Sequence, residues 1–157
     1  MKLSEEQEEI SEFFKCIGEI WRDITSIEFL MRCAIAKKEG EIKKFPKPPY
    51  KKGRIYTHYP ESFSIGYFAE VAGKFNKYFP KLAIPQELID LRNAMAHGLI
   101  SEIDKKGFPE LVKFRKSKKG LEVEFIMTLE VTRIAKIRQS LKEIRRFIMK
   151  ECDDNKE

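Results

Sequence analysis

The sequence has few cysteines and no long apolar run. Its three cysteines, Cys16, Cys33 and Cys152, are scattered and form no C-x-x-C pair. An odd, scattered set argues against a disulfide framework and against a zinc site. No stretch approaches the roughly 18 apolar residues that a transmembrane helix needs, and the first residues lack the basic leader of a signal peptide. We therefore expect a protein of the reducing cytoplasm with no membrane partner.

The sequence also lacks the glycine-rich loop that holds phosphates in nucleotide-hydrolysing enzymes. Gly73 and Lys74 are adjacent, but the preceding glycine and the following serine or threonine of that loop are absent. A chain of 157 residues can bury a core without a metal or a disulfide. We expect one domain, spanning 1–157, and no cofactor.

Positive charge is present instead, and it is concentrated in one segment. The net charge is +6, and the proline-rich segment 41–60, which we call the basic loop, carries six cations against the single Glu41. These cations are Lys43, Lys44, Lys47, Lys51, Lys52 and Arg54, interleaved with Phe45, Tyr50 and Tyr56. Cations that follow phosphates and rings that stack on bases are typical of an RNA-binding surface. A solvated loop whose rings anchor it to the core is the alternative.

The first third of the chain has the period of a long amphipathic helix. From residue 4 to about residue 37, apolar residues recur in alternating steps of three and four. Ser4 and Gln7 have the spacing of a capping box, and Gly40 stands where a helix end is expected. We predict one helix between these two signals.

Three further helices and a group of strands are predicted after the basic loop. The second helix covers 61–78, the third runs from Pro85 to Gly98, and the last follows Thr128. The inward residues expected for the second helix are Phe63, Tyr67, Phe68, Val71 and Phe75. Between the third and last helices the period becomes alternating over 99–127, which predicts an antiparallel β-meander. The fold class is therefore mainly α, a four-helix up-and-down bundle with a small meander inserted before the last helix.

The third strand of this meander has the clearest alternation. We expect Leu121, Val123, Phe125 and Met127 on one face, and Glu122 and Glu124 on the other.

The third helix carries the candidate catalytic residues. Its core-facing stripe consists of Ile84, Leu88, Leu91 and Met95. Arg92 lies at the flank of this stripe, and Asn93 and His97 lie nearly opposite it. Because the surrounding residues are mostly apolar, we expect a second surface over this face, either a dimer interface or a cleft.

The segment from Arg92 to His97 resembles the motif of the HEPN superfamily. That motif is an arginine followed directly by a polar residue and, after a short gap, by a histidine near a helix end; here Asn93 follows Arg92. The resemblance implies a homodimer in which two motif helices meet and build a composite site for metal-independent RNA cleavage. It also implies a toxin or an anti-phage effector, with an inhibitor or antitoxin protein as a further partner. The related toxins often carry a tyrosine two residues after the histidine, where this chain has Leu99, so a different branch is favoured.

The chemistry of these residues agrees with such roles. Histidine relays protons near neutral pH, and the guanidinium of Arg92 matches the oxygens of a phosphate that gains charge. Asn93 would orient the imidazole of His97 or donate to a phosphate oxygen. On a regular helix, Arg92 and His97 diverge by about 140° and are separated by roughly 7.5 Å along the axis. A second chain is therefore needed to bring an arginine and a histidine together.

Less specific interpretations remain open at this level. Glu28 of the first helix is a candidate supporting acid that orients Arg92, or else an ordinary boundary residue. In the noncatalytic interpretation, Arg92 only pairs with an acid of the first helix such as Glu28. His97 would then only interact with the negative end of its helix. The chain would in that case be a noncatalytic RNA- or nucleotide-binding module or a helical protein-interaction module.

Overall fold

Four α-helices and one antiparallel sheet form the part of the chain that the computed structural model describes, residues 4–45, 51–53, 59–101 and 108–152. The elements are α1 (Glu5–Lys38), α2 (Phe68–Tyr78), α3 (Gln86–His97), β1 (Leu99–Ser101), β2 (Glu110–Ser117), β3 (Gly120–Thr128) and α4 (Val131–Cys152). The mainly helical fold with a sheet between the third and last helices is confirmed. None of the described helices has the length and apolarity required to cross a membrane.

Helix α1 begins and ends at the signals expected from the sequence. The Ser4 N–H donates to Gln7 Oε1 at 3.0 Å, and the Gln7 N–H donates to Ser4 Oγ at 3.3 Å, which completes the capping box. At the other end, Gly40 has a φ of +76° and its N–H donates to the Lys37 carbonyl at 3.1 Å. Glycine adopts this left-handed conformation without the cost that a Cβ imposes, so it ends the helix.

The predicted second helix is wrong in its first half. Only a 3-10 turn, Glu61–Phe63, forms at its expected start, and α2 begins at Phe68. Tyr67, expected to face inward, precedes the helix and is 72% exposed. Phe68, Val71 and Phe75 are buried as expected.

An arginine of α1 explains the late start of α2. Arg32 Nη1 donates to the carbonyls of Ser62 and Ile65, each at 2.8 Å, and the Ser62 hydroxyl donates back to the Arg32 carbonyl at 2.9 Å. Arg32 Nη2 is also paired with Glu28 at 2.7 Å. Because the guanidinium satisfies the carbonyls of Ser62 and Ile65, these two groups need no N–H partner from a further turn of α-helix.

The sheet has the order β1-β2-β3, with antiparallel pairing throughout. The register shifts between Lys113 and Phe114, since Lys113 lies opposite Phe125 whereas Phe114 lies opposite Val123. Glu124 is therefore an extra residue in β3, which makes this irregularity a β-bulge.

The bulge overturns the predicted faces of β3. Residues directly opposite each other in an antiparallel pair share a face, so Val123 lies on the face of Phe114, whereas Met127 lies on the opposite face with Leu111. Leu121 and Val123 are 76% and 48% exposed, whereas Met127 is 6% exposed. A simple alternation over the whole strand is thus wrong, because the extra residue reverses it.

The chain divides into two compact units. The first consists of Met1–Ile24 and Asp90–Leu141, and the second of Thr25–Ile89 and Lys142–Glu157. The first unit contains the sheet and most of α3, and its buried residues include Leu91, Ala94, Leu111, Met127 and Ile134. The second contains α2, and its buried residues include Ile27, Met31, Phe68, Phe75 and Ile148. The expectation of a single domain stays a prediction.

Candidate functional site

Helix α3 presents the three motif residues with different degrees of exposure. Of the predicted core-facing stripe, Leu88 and Leu91 are each 6% exposed and Met95 is half-buried, and Ala94, outside that stripe, is also buried. Arg92 and Asn93 are half-buried, and His97, the last residue of the helix, is exposed. The face of the helix that carries the histidine is thus accessible at its carboxyl end.

Gly98 fixes the position of this helix end. Its N–H donates to the Ala94 carbonyl at 2.6 Å, and β1 begins at the next residue, with Leu99 opposite Val112. A Cβ at Gly98 would lie 2.5 Å from the Val112 carbonyl oxygen and closer still to that of Ala94. Only glycine permits this approach, so the close turn from α3 into the sheet depends on it.

The sheet of the same unit provides a surface next to the polar face of α3. Asp90 and Asn93 of α3 line a cleft of about 150 Å³ together with Lys113, Glu124 and Phe125 of the sheet. The sequence led us to expect either a dimer interface or a cleft over this face of the helix, and a cleft is present at Asn93. His97 lies one turn further along the helix, outside this group of lining residues.

An ion pair defines the charge on the sheet side of this cleft. The ammonium group of Lys113 contacts the carboxylate of Glu124. This hydrogen bond is the main reason that the pKa of Glu124 lies below its usual value, against a smaller opposing effect of desolvation. Glu124 is therefore a carboxylate that only accepts hydrogen bonds near neutral pH.

Sequence reasoning missed the sheet side of the cleft. Lys113 and Phe125 lie opposite each other in the register, and Glu124 is the bulged residue beside them. Alternation assigned Glu124 to the face opposite Phe125, and no local pattern in β3 marks the bulge. The signal lies in the pairing of β2 with β3.

The other side of α3 borders an apolar cavity of about 240 Å³. Leu91 and Met95 line it, together with Ile17, Ile20, Gly98, Leu99, Ile100, Leu111, Met127, Leu129 and Ile137. Leu99 and Ile100 are 51% and 38% exposed. Apolar side chains are therefore accessible immediately after His97.

The described residues of the basic loop separate into exposed cations and a buried ring. Lys43, Lys44, Lys51 and Lys52 are exposed, whereas Lys47, Arg54, Tyr50 and Tyr56 lie outside the described residues. Phe45 is 4% exposed, and the Lys37 ammonium lies 5.9 Å from its ring centroid. The ring of Phe45 is thus buried, which agrees with the alternative that the rings of the basic loop anchor it to the core.

Glu28, the candidate supporting acid, pairs with Arg32 and belongs to a different compact unit from Arg92. Its orienting role stays a prediction. Within the described ranges, no three His, Cys, Asp or Glu side chains are grouped as a metal site. Comparisons with protein families, with curated proteins and with solved structures found no match to the chain.

Proposed function

We propose that this chain is a HEPN-type endoribonuclease that cleaves RNA without a metal and acts as a homodimer. The observation that supports this most directly is the exposed His97 at the end of α3, one turn beyond Asn93 and held by the close turn at Gly98. An accessible imidazole on a helix end of fixed backbone position is suited to proton transfer to a substrate.

In the proposed reaction, the 2′-oxygen of a ribose attacks the adjacent phosphorus and the bond to the 5′-oxygen of the next nucleotide breaks. His97 takes the proton of the 2′-hydroxyl or gives one to the leaving 5′-oxygen, and water makes the other of these two proton transfers. Arg92 of a second chain stabilises the charge that develops on the phosphate oxygens. The products are a cyclic phosphate and a free 5′-hydroxyl.

Two features support the dimer. Arg92 and His97 point in directions about 140° apart on one regular helix, so one chain does not aim both at a single phosphate. Leu99 and Ile100, directly after the histidine, are accessible apolar residues beside the apolar cavity. Exposed apolar surface of this kind favours association.

Cleavage assays on His97→Ala and Arg92→Ala test the proposal, with Arg115→Ala as the matched control. Arg115 is an exposed arginine that pairs with Glu122 on the sheet. We expect each motif substitution to lower the rate by about 10²-fold or more, while the control keeps the wild-type rate. Sedimentation should show the same dimer in all three proteins. If both motif variants cleave RNA at the wild-type rate, the proposed HEPN-type activity is refuted.

A noncatalytic RNA-binding module is the second candidate, and the exposed lysines of the basic loop favour it. Lys43, Lys44, Lys51 and Lys52 are all exposed, and cations on a surface attract phosphates. This function predicts salt-sensitive RNA binding that persists in both motif variants, with no cleavage by the wild-type protein.

A further inference from the structure

The cleft between α3 and the sheet combines an aromatic ring with an amide and with charged side chains. Phe125 provides an aromatic ring, Asn93 an amide, and Asp90 and Glu124 carboxylates, with Lys113 beside them. A ring that stacks and polar groups that hydrogen-bond to an edge are the elements with which proteins bind single-stranded bases. The volume of about 150 Å³ is sufficient for one small planar ring system.

The β-bulge brings Glu124 to this cleft. In a regular strand, Glu124 and Phe125 would point to opposite faces. The extra residue in β3 instead allows Glu124 to pair with Lys113, the residue opposite Phe125. Bulges of this kind re-aim side chains and are frequent beside functional sites.

The cleft adjoins the proposed reaction centre. Asn93 and His97 are four residues apart on one helix, so they lie on the same face about 6 Å apart along the axis. A nucleotide whose phosphate is at His97 therefore has its base within reach of Asn93.

We infer that this cleft is a base-recognition subsite that accepts a nucleobase with an exocyclic amino group, namely adenine, cytosine or guanine, in preference to uracil. The inference rests on the proposed function, which places the phosphate at His97. Carboxylates only accept hydrogen bonds, so Asp90 and Glu124 match an amino group that donates. Uracil has a carbonyl oxygen where cytosine has this amino group, and it would face the carboxylates with an acceptor.

Binding of mononucleotides tests the cleft without requiring catalysis. AMP, CMP, GMP and UMP are titrated into the full chain, and amide shifts of Asn93, Lys113 and Phe125 are followed by NMR. We expect CMP to bind about fivefold or more tightly than UMP. Glu124→Gln should reduce this preference, because an amide replaces an acceptor-only group with a mixed one. Phe125→Leu should weaken all four nucleotides by about fivefold or more, because it removes the stacking ring.

The matched control is Glu122→Gln. Glu122 belongs to the same strand and also pairs with a cation of β2, Arg115, but it does not line the cleft. It should leave the nucleotide preference unchanged. Equal binding of CMP and UMP, or shifts confined to residues away from the cleft, would overturn the inference.

Cleavage gives an independent readout that separates this inference from the proposed function. If the protein cleaves RNA, Glu124→Gln should lower the ratio of kcat/KM for substrates with cytosine over uracil at the cleaved position. An unchanged ratio would contradict the base-recognition subsite but not the proposed ribonuclease activity. If the protein does not cleave RNA, the enzyme fails, and the mononucleotide titration still decides whether the cleft recognises the amino group.

Discussion

At the residue scale, Gly98 matters because of space and not because of its backbone torsion. Its φ lies outside the left-handed region, in contrast to Gly40. What excludes a side chain is the proximity of two carbonyl oxygens, those of Ala94 and Val112, to the place a Cβ would occupy. Both are backbone atoms that belong to a helix and a strand, so neither is free to move away.

We therefore expect Gly98→Ala to lower the free energy of unfolding by about 1–3 kcal/mol or more, as overpacking does elsewhere. Urea denaturation measures it. Gly73→Ala is the control, since Gly73 lies within α2 and a Cβ there meets no atom within 4 Å. Alanine at this helical position should stabilise by about 0.5–1 kcal/mol. Equal stability of Gly98→Ala and the wild type would contradict the steric argument.

At the scale of single elements, the start of α2 is determined by a residue of α1. Arg32 holds two carbonyls of the segment before α2 with one nitrogen and Glu28 with another. Its side chain is 11% exposed. Because water has little access, the carbonyls would lose their partners if the guanidinium were replaced.

The substitution Arg32→Lys keeps the positive charge but removes the planar guanidinium that bridges several acceptors. It therefore separates the effect of the hydrogen-bond geometry from the effect of the charge. We expect the free energy of unfolding to fall by about 1–3 kcal/mol, measured by urea denaturation. Arg115→Lys is the comparison, because Arg115 is 56% exposed and solvent screens its pair with Glu122, so this substitution should change the stability little. Equal losses in the two variants would show that the bridging geometry has no special weight.

Elements whose ends depend on residues near in sequence are predictable from the sequence, and those that depend on distant residues are not. Both ends of α1 follow from residues within four positions of each other, Ser4 with Gln7 and Gly40 with Lys37, and were predictable. The late start of α2 depends on Arg32, 30 residues before Ser62. The motif residues of α3 are recognisable in their own helix, but Glu124 reaches the cleft only through the register of two strands.

At the scale of the whole molecule, the distribution of charge has a consequence for RNA binding. Lys43 and Lys44 follow α1 and are exposed, and Lys118 and Lys119 form a second exposed pair in the turn between β2 and β3. Removing either pair changes the net charge by the same amount. Any difference between the two variants therefore reports where RNA lies and not how much charge the protein carries.

We expect the double variant Lys43→Gln/Lys44→Gln to bind single-stranded RNA more weakly, with a similar loss for every sequence. The slope of log affinity against log salt concentration should become less steep by up to about 1.4, which corresponds to about 0.7 for each lost phosphate contact. The pair Lys118→Gln/Lys119→Gln should keep the wild-type slope. Titrations of labelled RNA at several salt concentrations measure both slopes. Identical slopes in the two variants would mean that RNA senses only the total charge, and the basic loop would then have no particular part in binding.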